Sequence, residues 1–289
     1  MVDETWTIIK TLQWTTTYFE SHGIDQSRTD AEVLLAHALH LKRIELYTNY
    51  DKPLRDQELK IFKSLIQRRI LREPVAYIIE KKEFWSLDLM VTPDVLIPRP
   101  ETECLVEAAL DFIPKGADCD ILDLGTGSGA IILALAHERP GHRFYAVDRS
   151  ESALTVALKN ARRHGLEKAI TFLQGDWFEG VQNLQKRFDI IVSNPPYIPT
   201  HQIKELSPEI VQYEPRYALD GGKDGLDAVR FIIRTAPDYL VPKGKIFLEI
   251  GYDQRSAIAA LTKDLGCYKD FVCRKDYGKN DRVVQITLA

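Results

Sequence analysis

Apolar residues recur at helical spacing through the first 80 residues of the chain. Leu34, Leu35 and Ala38 illustrate the pattern, in which positions three or four apart share one face of a helix. No glycine-rich loop and no alternation of polar and apolar residues interrupts this stretch. The pattern therefore predicts a small all-α helical bundle over residues 1–80.

The pattern changes over residues 81–98. Partial alternation of apolar and polar residues over 84–91 predicts a strand or hairpin, and Pro93 and Pro98 then indicate a loop. We interpret residues 81–98 as a β-hairpin linker and residues 99–289 as a second domain.

Short apolar runs alternate with helical segments from residue 119 onward. Strands are predicted over 120–124, 143–147, 169–173, 188–192, 245–250, 268–274 and 282–288. Helices are predicted between most of them, an order typical of a parallel sheet with helices on both faces. The last two strands lie close together in the chain, which predicts an antiparallel terminal pairing. The expected fold class is α/β, with a Rossmann-like, mostly parallel seven-stranded sheet behind the helical bundle.

Composition narrows the function. The chain has 289 residues, 28% of them charged, and a net charge of −4, which argues against non-specific nucleic-acid binding as its main activity. Basic residues gather between Lys60 and Arg72. We interpret them as a solvated helix face, and a docking face for an acidic or RNA-associated partner is the alternative.

Cysteine usage and hydropathy bear on location. The four cysteines form no Cys-x-x-Cys pair and lie near no histidine cluster, so the sequence predicts neither a metal site nor a disulfide framework. Scattered thiols fit a reducing cytoplasm. The chain starts without a signal-peptide pattern, and its apolar runs are too short to span a bilayer. We expect a cytoplasmic protein that does not enter a membrane.

A glycine-rich loop joins the first strand of the second domain to its helix. The loop has the sequence Gly-Thr-Gly-Ser-Gly over residues 125–129 and follows Asp123. Glycine lets a ligand approach the backbone, and the helix start adds unpaired N–H groups. A dinucleotide fingerprint fits this loop loosely, whereas the acidic Gly-x-Gly-x-Gly pattern of S-adenosylmethionine enzymes fits it fully. Both cofactor classes stay open at this point.

Two further strand ends carry residues that suit a nucleoside. Asp148 ends the second strand of the domain, where a carboxylate can accept hydrogen bonds from ribose hydroxyls. Trp177 follows the third strand and could stack on adenine. The alternatives are a helix-start charge for Asp148 and a core aromatic for Trp177.

The tetrapeptide Asn-Pro-Pro-Tyr occupies residues 194–197, directly after the fourth strand. Because two prolines cannot continue a central strand, the tetrapeptide is expected at the carboxyl edge of the sheet, where open α/β sheets bind ligands. There the Asn194 side-chain oxygen and the Pro195 carbonyl could both accept hydrogen bonds from one planar NH2 group. A stiff turn without a ligand is the alternative.

Taken together, these motifs resemble those of class I S-adenosylmethionine-dependent methyltransferases that modify planar nitrogen. Residues 95–103 (Val-Leu-Ile-Pro-Arg-Pro-Glu-Thr-Glu), 213–225 and 278–284 are similar to segments of the HemK/PrmC family of protein glutamine methyltransferases. The resemblance covers nearly the whole chain. It implies an enzyme that transfers a methyl group from S-adenosylmethionine to N5 of the glutamine in the Gly-Gly-Gln loop of class I peptide chain release factors.

The resemblance also implies roles for particular residues. It places Asn194, Pro195, Pro196 and Tyr197 around the substrate glutamine as the catalytic group. It implies cofactor contacts from Gly125, Thr126, Gly127, Ser128, Gly129, Asp148, Trp177 and Asn194. The loop 99–102 is expected to close over the site. The helical bundle would recognise the release factor, and we expect a monomer without direct nucleic-acid binding.

Other functions stay open on the sequence. A ribosomal-protein glutamine would use the same site with another partner. Methylation of a nucleic-acid base is less favoured by the net charge, although the basic residues between Lys60 and Arg72 keep it open. A nicotinamide-dependent oxidoreductase would have no use for the tetrapeptide. A non-catalytic RNA- or ribosome-binding protein would not need the intact Asn194 and glycine loop.

Overall fold

The computed structural model describes residues 5–116 and 118–289. Contacts between residues divide the chain into two compact units. The first unit takes the chain up to Glu80 together with Ser207–Tyr213, and the second takes Lys81–Leu206 and Glu214–Ala289. The sequence pattern does not indicate that 207–213 groups with the helical unit. The predicted division into a recognition domain, a linker and a methyltransferase domain stays a prediction.

The helices and strands have the following bounds. The α-helices are α1 (Ile8–Ser21), α2 (Ser27–Leu39), α3 (Arg43–Thr48), α4 (Asp56–Ile70), α5 (Val75–Ile78), α6 (Glu103–Leu110), α7 (Ala130–Glu138), α8 (Glu151–Arg163), α9 (Pro208–Tyr213), α10 (Asp227–Thr235) and α11 (Arg255–Leu265). The strands are β1 (Lys82–Phe84), β2 (Leu87–Leu89), β3 (Asp120–Leu124), β4 (Arg143–Asp148), β5 (Ile170–Gln174), β6 (Phe188–Ser193), β7 (Leu240–Glu249), β8 (Tyr268–Lys275) and β9 (Asp281–Leu288). Short 3-10 helices cover Pro100–Thr102, Trp177–Leu184, Ile203–Glu205, Arg216–Ala218 and Ala236–Asp238.

The first unit is helical, as its sequence pattern predicts. Helices α1 to α5 and α9 belong to it, and Phe19, Leu34 and Phe62 are at most 2% exposed in its core. These apolar side chains recur on one face of each helix, so burial of that face stabilises the bundle. None of the helices that the structure describes is long and apolar enough to cross a membrane.

Partly buried ion pairs hold α9 within the helical unit. Arg69 of α4 is 7% exposed and donates hydrogen bonds to Asp30 at 2.8 Å and to Glu209 of α9 at 3.1 Å. Arg72 donates to the same Glu209 carboxylate at 3.1 Å. Burial opposes ionisation of Glu209, but a backbone hydrogen bond and both arginines outweigh it and keep the pKa of Glu209 below its ordinary value.

The second unit contains a seven-stranded sheet with the order β5-β4-β3-β6-β7-β9-β8. Strands β3 to β7 pair in parallel, whereas β9 inserts between β7 and β8 and is antiparallel to both. This arrangement confirms the predicted mostly parallel sheet with an antiparallel C-terminal strand. Strands β1 and β2 form a separate antiparallel hairpin.

The parallel register brings four strand ends to one edge of the sheet. Leu124 of β3 lies opposite Val147 of β4 and Ser193 of β6, and Ser193 in turn lies opposite Leu248 of β7. All five residues of β3 are buried, because apolar helices cover both faces of the sheet. The loops that follow β3, β4, β6 and β7 therefore converge at the carboxyl edge, where such sheets bind ligands.

Candidate active site

A cavity of about 620 Å³ opens at the carboxyl edge of the sheet. This volume falls within the range of roughly 300–1,000 Å³ that is usual for cofactor and small-molecule sites. Predicted site residues in its wall are Gly125, Thr126, Gly127, Ser128, Asp148, Trp177, Asn194 and Pro196. Arg99 and Thr102, from the loop 99–102 that we expect to close over the site, also line it, as does Pro98. The structure therefore brings most of the predicted residues into one cavity.

The glycine loop is held against the end of β4. The backbone N–H groups of Gly125 and Thr126 both donate to the Val147 carbonyl, at 2.8 and 3.0 Å. Gly125 has a φ of +73°, and a Cβ on it would lie 3.7 Å from the Trp177 ring. A side chain there would narrow the space between loop and ring, so glycine keeps that space open.

Gly129 has a different surrounding from the other loop residues. It lies outside the cavity wall, and a Cβ on it would come within 3.0 Å of Leu133 and 3.3 Å of Ala157. Gly129 caps the N-terminus of α7 with a φ of +83°. The absence of a side chain at Gly129 therefore allows the loop to pack closely against α7 and α8.

Asp123 lies beneath the loop and is completely buried. Its Oδ2 accepts a hydrogen bond of 2.6 Å from the Thr126 hydroxyl, whereas its Oδ1 is buried and has no hydrogen-bond partner among the residues that the structure describes. Burial raises the pKa of Asp123 to about 7, and the hydrogen bond from Thr126 only partly opposes this. The carboxyl thus fixes the loop from below and changes its charge near neutral pH.

Asp148 lies at the end of β4 and faces the cavity. One carboxylate oxygen accepts the Gly127 N–H at 2.8 Å and the other accepts the Ser150 N–H at 2.9 Å. Burial raises the pKa of Asp148, and these N–H donors favour its charged form. Since a carboxylate can accept about four hydrogen bonds, Asp148 keeps the capacity to accept two ribose hydroxyls.

Trp177 begins the 3-10 helix that follows β5. It has a φ of +52° and is half-buried, with part of its surface in the cavity wall and part packed on the sheet core. Positive φ is uncommon for a bulky residue, so the surrounding structure fixes the ring in this position. Trp177 thus packs partly on the core and partly lines the cavity, and its stacking on adenine stays a prediction.

The Asn-Pro-Pro-Tyr tetrapeptide follows β6 and is fixed at both ends. The Asn194 Nδ2 donates a hydrogen bond of 3.2 Å to the Thr102 hydroxyl, and the Tyr197 hydroxyl donates one of 3.2 Å to Glu249 Oε1. Asn194 and Pro196 line the cavity, whereas Pro195 and Tyr197 lie outside its wall. Burial, and next the Glu249 charge, raise the pKa of Tyr197.

A second loop supports the tetrapeptide backbone. The Gln254 Nε2 donates to the carbonyls of Tyr197 and Gly225, both at 3.0 Å. The Ile198 N–H donates to the Leu219 carbonyl at 3.1 Å, and the Ile198 carbonyl accepts the Gly221 N–H at 2.9 Å. The segment 219–225, which carries the resemblance noted above, therefore packs directly on the chain that follows Asn194.

The loop that precedes α6 is anchored by a buried carboxylate. Glu214 is 6% exposed and accepts a hydrogen bond of 2.5 Å from the Arg99 guanidinium. Its other oxygen accepts the Ile97 N–H at 3.3 Å. These contacts hold Arg99 in the cavity wall.

Two buried residues of the site, Glu249 and Gln254, are absent from the sequence prediction. Glu249 stands at the carboxyl end of β7, and an acidic residue at the end of an apolar parallel strand is a signal that could have identified it. Gln254 makes its contacts through tertiary structure and leaves no such signal. Among the residues that the structure describes, no group of three or more His, Cys, Asp or Glu side chains could hold a metal ion.

Comparison with known proteins identifies the family of this chain. Residues 10–79 match the family model of the PrmC N-terminal domain, and residues 115–267 match that of a methyltransferase domain. The release factor glutamine methyltransferase of Geobacter sulfurreducens is 45% identical over 281 residues, which cover 97% of this chain and 96% of that protein. The chain belongs to the release factor glutamine methyltransferase family. The resemblance to the HemK/PrmC family is thereby confirmed.

Further relatives and solved structures support the family and the fold. The release factor glutamine methyltransferase of Moorella thermoacetica is 45% identical over 260 residues, covering 90% of this chain and 91% of that protein. A solved methyltransferase from Pyrococcus furiosus matches with a TM-score of 0.53 and 21% identity, over 76% of this chain and 96% of that one. The hMettl16 catalytic domain matches with a TM-score of 0.57 and 15% identity, over 83% of this chain and 85% of that one. At these identities the solved structures support the fold alone, and membership of the family makes this chain a methyltransferase.

Proposed function

We propose that this methyltransferase transfers a methyl group from S-adenosylmethionine to the side-chain amide nitrogen, N5, of the glutamine in the Gly-Gly-Gln loop of class I peptide chain release factors. The observation that carries the proposal is that Asn194 and Pro196 of the Asn-Pro-Pro-Tyr tetrapeptide line the same cavity as residues 125–128 of the glycine loop. Relatives at 45% identity that bear the name release factor glutamine methyltransferase support it.

The cavity suits S-adenosylmethionine, which supplies a methyl group on a cationic sulfur when bound. Asp148 would accept the ribose hydroxyls with the lone pairs that its two backbone donors leave free. Trp177 would stack on the adenine from the cavity wall. The backbone of Gly125 to Ser128 would hold the methionine part, because these residues leave room for close approach.

The tetrapeptide would hold the reacting nitrogen. An amide NH2 is a poor nucleophile, since its lone pair is delocalised into the carbonyl. The Asn194 side-chain oxygen and the Pro195 carbonyl would accept its two N–H bonds, while the Asn194 Nδ2 stays on Thr102. These acceptors orient the nitrogen toward the methyl group and favour the positive charge that develops on it.

The remaining roles concern the proton and the side chain of the substrate. The alkylated nitrogen is strongly acidic, so it can release its proton to water late in the reaction, and no obligatory general base is assigned. Pro196 would form the wall beside the glutamine stem, and Tyr197 would support that wall from behind through its bond to Glu249. A glutamine that follows two glycines suits this site, because bulky residues before it would clash with the cavity rim.

The test is transfer of labelled methyl from S-adenosylmethionine to a purified release factor. The control is the same release factor with its Gly-Gly-Gln glutamine replaced by alanine. Label on the first protein and none on the second is the expected result. Equal label on both, or label on ribosomal proteins or RNA in parallel reactions with none on the release factor, would overturn the proposed substrate.

A further inference from the structure

Asn160 is a polar residue of α8 whose side chain is completely buried. Removal of such a group from water is costly unless its hydrogen bonds are made inside the protein. Its Oδ1 accepts the Met90 N–H at 2.6 Å, and its Nδ2 donates to the carbonyls of Met90 at 3.0 Å and Ser128 at 2.9 Å. Because two carbonyls lie at the nitrogen and an N–H lies at the oxygen, only one orientation of the Asn160 amide fits its partners.

The contact with Ser128 reaches the glycine loop. Ser128 is buried and precedes Gly129, the N-cap of α7, so its carbonyl takes no part in the hydrogen bonds of that helix. Within the described part of the chain, Asn160 is the only donor to this carbonyl. A buried carbonyl without a donor is unfavourable. The direction of the Ser128 carbonyl therefore depends on Asn160.

The same peptide unit is also held on its other side. The Gly129 N–H donates to the Thr126 carbonyl at 2.8 Å. Since a peptide unit is planar, this bond and the one from Asn160 together fix the plane between Ser128 and Gly129. Ser128 lines the cavity, whereas Asn160 lies outside its wall. Asn160 can therefore shape the loop without touching a bound cofactor.

We propose that Asn160 is a positioning residue that holds the glycine loop in the shape that binds the cofactor. The inference rests on the proposed function for the identity of that cofactor, S-adenosylmethionine. A loop that already has its bound shape does not have to be ordered on binding, so the cofactor binds more tightly. The alternative is that Asn160 serves only to hold Met90, which directly follows β2, against α8.

His164 provides a matched control for that alternative. It caps the C-terminus of α8, and its Nε2 lies 3.0 Å from the carbonyl of Asp88 in β2. Among the described residues, His164 makes no hydrogen bond to the glycine loop. His164→Ala should therefore loosen the hairpin alone, whereas Asn160→Ala should release the hairpin and the loop.

Calorimetry with S-adenosylmethionine measures the consequence for binding. Asn160→Ala should raise Kd about tenfold or more, and Asn160→Leu, which keeps most of the side-chain volume, should do the same. His164→Ala should change Kd by less than about threefold. Each titration is made well below the unfolding temperature of its variant. Equal changes in Kd for Asn160→Ala and His164→Ala, or the wild-type Kd in both Asn160 variants, would overturn the inference.

A spectroscopic measurement reports on the loop itself. The dipeptide Ser-Gly occurs once in the chain, at residues 128–129. Cell-free synthesis with ¹³C-carbonyl serine and ¹⁵N-glycine therefore gives one NMR signal across this peptide bond. In the free wild-type protein the Gly129 N–H should exchange slowly in D2O. Exchange should be about tenfold faster in Asn160→Ala but less than about threefold faster in His164→Ala. The Ser128 carbonyl shift should move only in the Asn160 variants.

This measurement needs neither cofactor nor release factor, so it separates the inference from the proposed function. Fast exchange of Gly129 in the free wild-type protein would overturn the inference even if methyl transfer is observed, and it decides the matter if neither Asn160 variant folds. Slow exchange in the wild type that is lost in Asn160→Ala would support the role of Asn160 even if the cofactor is another molecule. Absence of S-adenosylmethionine binding to the wild type would instead contradict the proposed function.

Discussion

The Gln254 side chain links the Tyr197 carbonyl to the Gly225 carbonyl through hydrogen bonds of 3.0 Å from one nitrogen. Its Oε1 accepts the Gly251 N–H at 2.9 Å, so a single side chain that is 6% exposed joins three backbone segments. The position of the tetrapeptide thus depends on a residue 57 positions further along the chain.

Replacement of Gln254 by alanine should weaken both folding and catalysis. Loss of its side chain leaves buried carbonyl groups without donors, which costs about 1–3 kcal/mol of the free energy of unfolding. Urea denaturation would measure this change, with Gln182→Ala at an exposed position as the matched control. Equal stability of the two variants would contradict the role of Gln254.

Gly225 should tolerate a side chain much less well than another glycine of positive φ. A Cβ on Gly225 (φ +77°) would lie 2.3 Å from the Tyr197 carbonyl oxygen, whereas one on Gly266 (φ +65°) meets nothing within 4 Å. Both alanine variants incur a backbone cost of roughly 1–2 kcal/mol. Gly225→Ala should lose about 2 kcal/mol more, because the clash forces the backbone apart. It should also lose methyl transfer, while Gly266→Ala keeps it; similar thermal unfolding of the two variants would count against this packing.

Substitution of Asn194 should impair methyl transfer much more than it impairs cofactor binding. Removal of the acceptor in Asn194→Ala should lower kcat/KM, with a loss of about 2–4 kcal/mol of transition-state stabilisation, by analogy with the loss of an oxyanion donor. Steady-state kinetics would measure this loss, and calorimetry with S-adenosylmethionine would serve as the control. Turnover close to that of the wild type in a folded variant would exclude Asn194 as a substrate acceptor.

Asp123 should make stability depend on pH. Its pKa of about 7 in the folded protein lies above the ordinary value of 3.8. Between these values the folded state keeps a proton that the unfolded chain has released, so the free energy of unfolding falls as pH rises. Asp123→Asn cannot ionise and keeps an oxygen for Thr126. Its stability relative to the wild type should therefore rise by about 1–4 kcal/mol between about pH 4.5 and 7.5. Urea unfolding across this range would measure the difference, and a constant difference would contradict the buried carboxyl.

The helical unit should lose stability when Glu209 is replaced. Glu209→Ala removes a partner of Arg69, which is 7% exposed and keeps only Asp30 as a charged neighbour among its described contacts. The free energy of unfolding should fall by about 1–3 kcal/mol. Glu205→Ala, at an exposed position nearby, is the control for urea unfolding. A loss no greater than that of the control would show that these ion pairs contribute little.

Much of the fold could be predicted because its determinants are local. The apolar runs of β3, β4 and β6 and the glycine loop stand out in the sequence, and the parallel pattern then places their ends at one edge. The first half of β7 could not be predicted in the same way. Pro242 and Gly244 suggest a turn there, yet β7 continues through them. Its pairing with β6 is irregular at this point, because Phe188 lies opposite Leu240 and Ile190 lies opposite Lys245.

The supporting residues of the site depend on tertiary structure. Asn194 and Asp148 follow predicted strands, so their convergence is a consequence of topology. Gln254 and Thr102 act through contacts with residues far along the chain, and their sequence neighbourhoods carry no signal for those partners. Helix α9 groups with the helical unit through ion pairs that span up to 140 positions, beyond the reach of any local pattern.

The central claim is that the cavity methylates a glutamine amide held by Asn194. Tandem mass spectrometry of a release factor, after reaction with S-adenosylmethionine and the wild-type protein, tests this most directly. We predict one methyl group on the side-chain nitrogen of the Gly-Gly-Gln glutamine, and none above background when Asn194→Ala replaces the wild type. A methyl group on a different residue or atom, or the same modification with Asn194→Ala, would contradict the account.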